Sequence, residues 1–72
     1  MTYYTLLRRE DADAPWGIEF GAYERDDVVA ERESLIDGWE EIPAKNLKIV
    51  TTKTARQSEI DAAVAKLNGG VK

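Results

Sequence analysis

The chain has 72 residues and contains neither cysteine nor histidine, which removes disulfides, thiolate metal sites and the commonest general base of enzymes. A domain of this length buries only about 60% of the surface that its unfolded chain exposes, so a deep substrate pocket is not expected. The net charge of −4 hides two unequal parts: residues 10–41 carry twelve acidic and two basic side chains, whereas the other forty residues carry two acidic and eight basic ones.

Two strands are predicted in the first third of the chain. Residues 2–9 are rich in β-formers and carry apolar groups at both odd and even positions. Both faces of the strand are therefore apolar, as in a central strand. Residues 10–15 are polar, end in Pro15 and predict a hairpin loop. Residues 16–23 alternate strictly, which predicts a second strand with one core-facing set: Trp16, Ile18, Phe20 and Ala22.

The rest of the chain predicts a helix, a strand and a second helix. Residues 24–37 have helical spacing, with Val28 and Leu35 on the apolar stripe and Gly38 as a left-handed terminator. A connector over residues 39–46 leads to a strand at 47–53. The final helix is predicted to begin with a capping box, either Thr54 with Gln57 or Ser58 with Asp61, and to end at Gly69. Its apolar positions are Ile60, Ala63, Val64 and Leu67.

The element order is therefore ββαβα, an α+β fold. A right-handed crossover through the first helix gives a three-stranded antiparallel sheet of order 2-1-3. Both helices are predicted to cover one face of this sheet, around a single core. We expect one domain over residues 1–68 and a flexible tail at 69–72. The uncovered face would then offer apolar side chains to a partner or a second copy: Tyr3, Leu7 and Val50.

No constellation of residues indicates catalysis, and we expect no enzyme activity, no cofactor and no metal site. The adjacent acids Asp26 and Asp27 point about 100° apart on a helix, whereas a hydrolytic pair must be aimed into one cleft. The acids also lack the spacing of an EF-hand loop. Residues 1–9 lack a signal-peptide pattern, and no apolar run approaches the roughly 20 residues of a membrane span. We therefore expect a cytoplasmic protein.

The acidic segment is the predicted partner-binding surface, because concentrated charge steers an oppositely charged partner. The alternative is a helix face that is merely solvated. Trp39 follows the first helix and is either buried under the connector or an exposed anchor. The candidate residues are Asp26, Asp27, Glu31, Glu33, Asp37, Trp39, Glu40 and Glu41.

Three segments of the chain carry a likeness to known sequences. The motif Trp16-Gly17-Ile18-Glu19-Phe20-Gly21 lies within residues 15–25, and residues 46–52 and 60–68 extend the likeness to about two thirds of the chain. Together they resemble small uncharacterised proteins encoded by tailed bacteriophages. The resemblance implies a context, in which short proteins bind host machinery in the host-cell cytoplasm or serve as minor virion or assembly parts, and it implies no catalytic or binding residue.

These observations predict a small non-enzymatic module that engages a basic or nucleic-acid-binding host protein through its acidic surface. The first alternative is a structural or assembly protein, a homodimer through the open sheet face. The second is a weak single-strand nucleic-acid binder, which the net negative charge and the absence of an RNP-type aromatic motif disfavour. No membrane partner is expected.

Overall fold

The computed structural model describes residues 2–38 and 41–69. Its sheet has the order β2-β1-β3, and both neighbouring pairs are antiparallel. The predicted ββαβα order, the strand order and the α+β class are thereby confirmed. The elements are β1 (Tyr3–Arg8), β2 (Gly17–Ala22), α1 (Arg25–Asp37), β3 (Leu47–Thr52) and α2 (Gln57–Leu67), with a short 3₁₀ turn at Ala44–Asn46.

One face of the sheet packs against α1. Leu6 of the central strand is fully buried and lies in a cluster with Val28 and Leu35, two stripe positions that the sequence predicts. Ile42 and Leu47 complete the buried cluster, and half-buried side chains pack around it: Tyr4, Phe20, Ala22, Ile36 and Ile49.

The opposite face is covered as well. Thr5 and Leu7 lie on the face of the sheet opposite to that of Leu6. Leu7 is nevertheless fully buried, and Thr5 is only 1% exposed. Because α1 occupies the Leu6 face and Ile60 of α2 is buried outside the Leu6 cluster, α2 is the element that covers the Leu7 face. The prediction that both helices share one face is therefore wrong, and so is the single core.

The width of the sheet explains this arrangement. Three strands about 4.8 Å apart span roughly 10 Å, which is about the diameter of one helix. The molecule measures 33 × 30 × 13 Å, so it is only one helix wide and is three layers deep. A second helix beside α1 would hang over the edge of the sheet, whereas beneath the sheet it buries Leu7.

A β-bulge divides the predicted alternating set of β2 between the two faces. Leu6 pairs with Phe20, but the next residue, Leu7, pairs with Ile18, so Glu19 is the extra residue on β2. Phe20 and Ala22 stay in the Leu6 core. Ile18 moves to the other face, where it is 49% exposed, and Trp16 is only half-buried.

The predicted ends of α1 and α2 are partly wrong. Gly38 has φ −94°, not a left-handed conformation; its glycine is needed because a side chain there would collide with the Ser34 carbonyl oxygen. The left-handed residue is Glu41, with φ 50°, which turns the chain so that the Ile42 N–H donates to the Leu35 carbonyl at 2.9 Å.

At α2 neither predicted capping box forms. The N-cap residue is Arg56, and no side chain caps the first turn. The Thr54 hydroxyl instead donates to Glu59 Oε2 at 2.7 Å. Gly69, with φ 109°, follows the last turn as predicted. The rest of the predicted tail, residues 70–72, lies outside the described residues.

The two-core packing predicts losses of stability of very different size at two apolar positions that the sequence pattern alone would place in the core. Leu6→Ala should lower the free energy of unfolding by about 2–5 kcal/mol, most of the stability of so small a domain. Ile18→Ala should cost less than about 1 kcal/mol, because its side chain is half in water already. Urea unfolding followed by circular dichroism measures both, and equal losses would contradict the division of β2 by the bulge.

The buried hydroxyl of Thr5 predicts a stabilising substitution. Thr5 Oγ1 has no hydrogen-bond partner among the described residues, and an unsatisfied buried group costs about 1–3 kcal/mol. Thr5→Val keeps the shape and should raise the free energy of unfolding by a similar amount. The matched control is Thr52→Val, which removes a hydroxyl that donates to the Thr54 carbonyl at 2.7 Å and should be neutral or destabilising. A destabilised Thr5→Val variant would contradict the prediction.

Candidate interaction surface

The outer side of α1 carries an acidic stripe. Asp26, Glu33 and Asp37 recur at spacings of seven and four residues, which places them on one side of a 3.6-residue helix, opposite the buried Val28 and Leu35. All three acids are exposed. We call these three residues the α1 stripe.

The other predicted acids lie around this stripe. Asp27 and Glu41 are exposed, while Glu31 is half-buried and so lies nearer the sheet. Trp39 and Glu40 lie outside the described residues. None of the acids on α1 forms an ion pair with another described residue. The salt bridge found among these residues joins Arg8 to Glu19 at 3.6 Å.

The acids of α1 are placed against the stability of the helix. Asp37 occupies the last turn, where the negative end of the helix dipole disfavours a carboxylate by about 0.3–1 kcal/mol and where no basic residue is present. Glu33 and Asp37 repel each other at the i, i+4 spacing, as do Asp27 and Glu31. Only Asp26 and Asp27, in the first turn, are favoured by the dipole.

The sheet face that the sequence predicts to be open is largely covered. Leu7 is fully buried, and Tyr3 and Val50 are half-buried. The Tyr3 ring packs edge-on against Tyr23, with centroids 4.9 Å apart at 73°, and fills the space that a side chain at Gly21 would need. The exposed large apolar side chains lie elsewhere: Ile18, on β2, and Tyr23, just after it, are each 49% exposed.

Arg9 forms a polar cluster that sequence reasoning missed. Its guanidinium lies over the Trp16 ring, 4.6 Å from the centroid, a cation–π contact. Its Nε–H donates to Asn46 Oδ1 at 3.2 Å, and Nη2 donates to the Lys45 carbonyl at 3.1 Å. The Asn46 amide also donates to the Glu10 carbonyl at 3.3 Å. The hairpin loop is thus tied to the 3₁₀ turn before β3.

Asn68 ties the end of α2 to the start of β2. The Trp16 N–H donates to Asn68 Oδ1 at 2.6 Å, and Asn68 Nδ2 donates back to the Trp16 carbonyl at 3.2 Å. A groove of about 270 Å³ lies between these elements, lined by Arg9, Trp16, Leu67, Asn68 and the loop. Nothing in the sequence signals this pair, because its members are 52 residues apart.

Another open groove, of about 580 Å³, lies between the end of β3 and the start of α2. Its lining includes three threonines with Lys53 and Glu59. Over residues 2–38 and 41–69, no three acidic side chains come close enough together to hold a metal ion. None of the described helices combines the length and the apolar character that crossing a membrane requires.

No family model, curated protein sequence or solved structure matches this chain.

The Asn68 pair predicts a local effect at both of its ends. Asn68→Ala removes two hydrogen bonds to the Trp16 backbone, so amide exchange in the last turn of α2 should accelerate and Trp16 emission should shift to the red. A Trp39→Phe background isolates the Trp16 signal. The control is Gln57→Ala, which removes a bond to Asp61 at the other end of α2; a red shift of equal size there would contradict the prediction.

Proposed function

We propose that this chain is a protein-binding module, acting by contact and not by catalysis, and that the α1 stripe with its neighbouring acids engages a basic partner. A nucleic-acid-binding protein of a host cell fits this surface, because exposed carboxylates in a row present charge as a nucleic-acid backbone does. The resemblance to tailed-phage proteins makes a bacterial host the natural source of that partner.

The observation that carries the proposal is the placement of acids where they weaken the helix. A solvated helix face would be served equally by lysine at position 37 or 33, which would favour the dipole and relieve the repulsion. Glu41 adds a left-handed backbone that costs a non-glycine residue about 1–2 kcal/mol. Local costs of this kind collect at functional surfaces.

Each alternative function meets an observation against it. Self-association through an open sheet face requires Leu7 to be accessible, and it is fully buried. Binding of single-stranded nucleic acid on the sheet requires basic side chains beside an exposed aromatic ring. Lys48 and Lys53 are exposed at and just after β3, but Tyr3 and Tyr4 are half-buried and Arg9 is engaged with Trp16 and Asn46.

The test compares two triple variants of equal charge. Asp26→Asn, Glu33→Gln and Asp37→Asn neutralise the α1 stripe, whereas Ser58→Lys, Ala62→Lys and Ala65→Lys add charge to one exposed side of α2. Each set changes the net charge from −4 to −4 + 3 = −1. The immobilised chain is incubated with bacterial lysate, bound proteins are quantified by mass spectrometry, and association rates are measured with the partner obtained.

We expect the partner to be retained by the α2 variant and lost by the α1 variant, with an association rate that falls about tenfold or more and loses its salt dependence. Both variants should remain folded by circular dichroism. Equal retention on the two variants, or a partner bound equally well at high salt, would refute the α1 surface.

A further inference from the structure

The strand β2 forms an open edge of the sheet. Among the described residues it pairs with β1 alone, so along its other side every second residue directs a backbone N–H and C=O away from the sheet. The other edge strand, β3, differs because Lys48, on the strand, and Lys53, just after it, are exposed. Lysine side chains along an edge strand disfavour pairing with another strand.

Exposed apolar side chains accompany this open edge. Ile18, on β2, and Tyr23, just beyond its end, are the large apolar residues that the described structure leaves most exposed. Ile18 reaches the surface because the bulge at Glu19 turns it away from the Leu6 core. An extended chain added beside β2 would gain main-chain hydrogen bonds together with contacts to these two side chains.

The charges around β2 select the occupant. In the hairpin loop before β2, Glu10, Asp11 and Asp13 are exposed. At the other end of β2, three exposed acids outnumber the exposed Arg25: Glu24, Asp26 and Asp27. A second copy paired antiparallel would bring the first group of acids against the second at both ends, which is repulsive. A segment with basic residues at its two ends would meet acids at both.

We propose that β2 docks an extended segment of another protein by strand addition, and that this segment has an apolar, alternating centre flanked by basic residues. The binding site is the free edge of Gly17–Ala22 with Ile18 and Tyr23, and the flanking acids supply the charge selectivity. This surface shares only Asp26 with the α1 stripe, and the proposal does not depend on a partner for that stripe.

The probe is a blocked nine-residue peptide, Lys-Lys-Thr-Val-Thr-Val-Thr-Lys-Lys, compared with the same centre carrying Glu at all four end positions. Both are titrated into the labelled full chain, followed by amide chemical shifts and hydrogen exchange. We expect the lysine probe to slow exchange at alternate amides of Gly17–Ala22 by about tenfold or more, and the glutamate probe to have no effect.

Two chain variants of equal charge locate the site. Ile18→Lys introduces a cation at the β2 edge and should weaken binding by roughly tenfold. Thr51→Lys introduces the same charge on the other edge strand, at an exposed position, and should leave binding unchanged.

Any of the following results would overturn the proposal: no binding of the lysine probe, equal binding of the glutamate probe, equal weakening by the two variants, or concentration-dependent self-association that protects β2. A lysine probe that shifts α1 resonances without protecting β2 would also refute strand addition, while leaving the proposed function of α1 intact.

Discussion

Leu6 and Leu7 are adjacent on the central strand, and both are completely shielded from water. Since neighbouring side chains of a strand point to opposite faces, this pair requires a cover on each side of the sheet. The sheet is only about one helix wide, so each cover is a single helix. Most other features follow from this requirement, including the two separate cores, the position of α2 and the need to fasten α2 at its far end.

The bulge adapts β2 to these two cores. Without it, the alternating side chains of residues 16–22 would all belong to the α1 side, and Glu19 would face the second core. With it, Phe20 and Ala22 remain with α1, and Glu19 lies beside Arg8, 3.6 Å from its guanidinium. The adjustment leaves Ile18 at the surface, and that exposure creates the apolar part of the open edge.

Periodicity and crossover handedness predicted the elements and the strand order, because those depend on local spacing and on a general rule of chain geometry. They did not predict the bulge, because Trp16, Ile18 and Phe20 alternate in the sequence in the same way whether or not the strand contains a bulge. Likewise, the sequence indicates that both faces of β1 are apolar, but the pattern alone does not say which helix covers Leu7. The width of the sheet decides that, and it emerges only from the assembled strands.

The acidic surface was more predictable than the polar clusters. Asp26, Glu33 and Asp37 lie off the apolar stripe, so helical spacing alone places them outward. The contacts of Arg9 and Asn68 depend on segments distant in the chain, and the left-handed backbone of Glu41 depends on the return of Ile42 to Leu35. Such long-range contacts leave no periodic trace.

The separate packing of α2 has a consequence for partial unfolding. α2 contributes no residue to the Leu6 cluster, and its end is tied to β2 by the pair of Asn68 and Trp16. Parts of a domain that rest on separate contacts can open separately. Detachment of α2 would therefore expose Leu7 to water while the Leu6 cluster stayed packed. That half-open form is the state in which this small sheet would be most able to pair with a neighbouring chain.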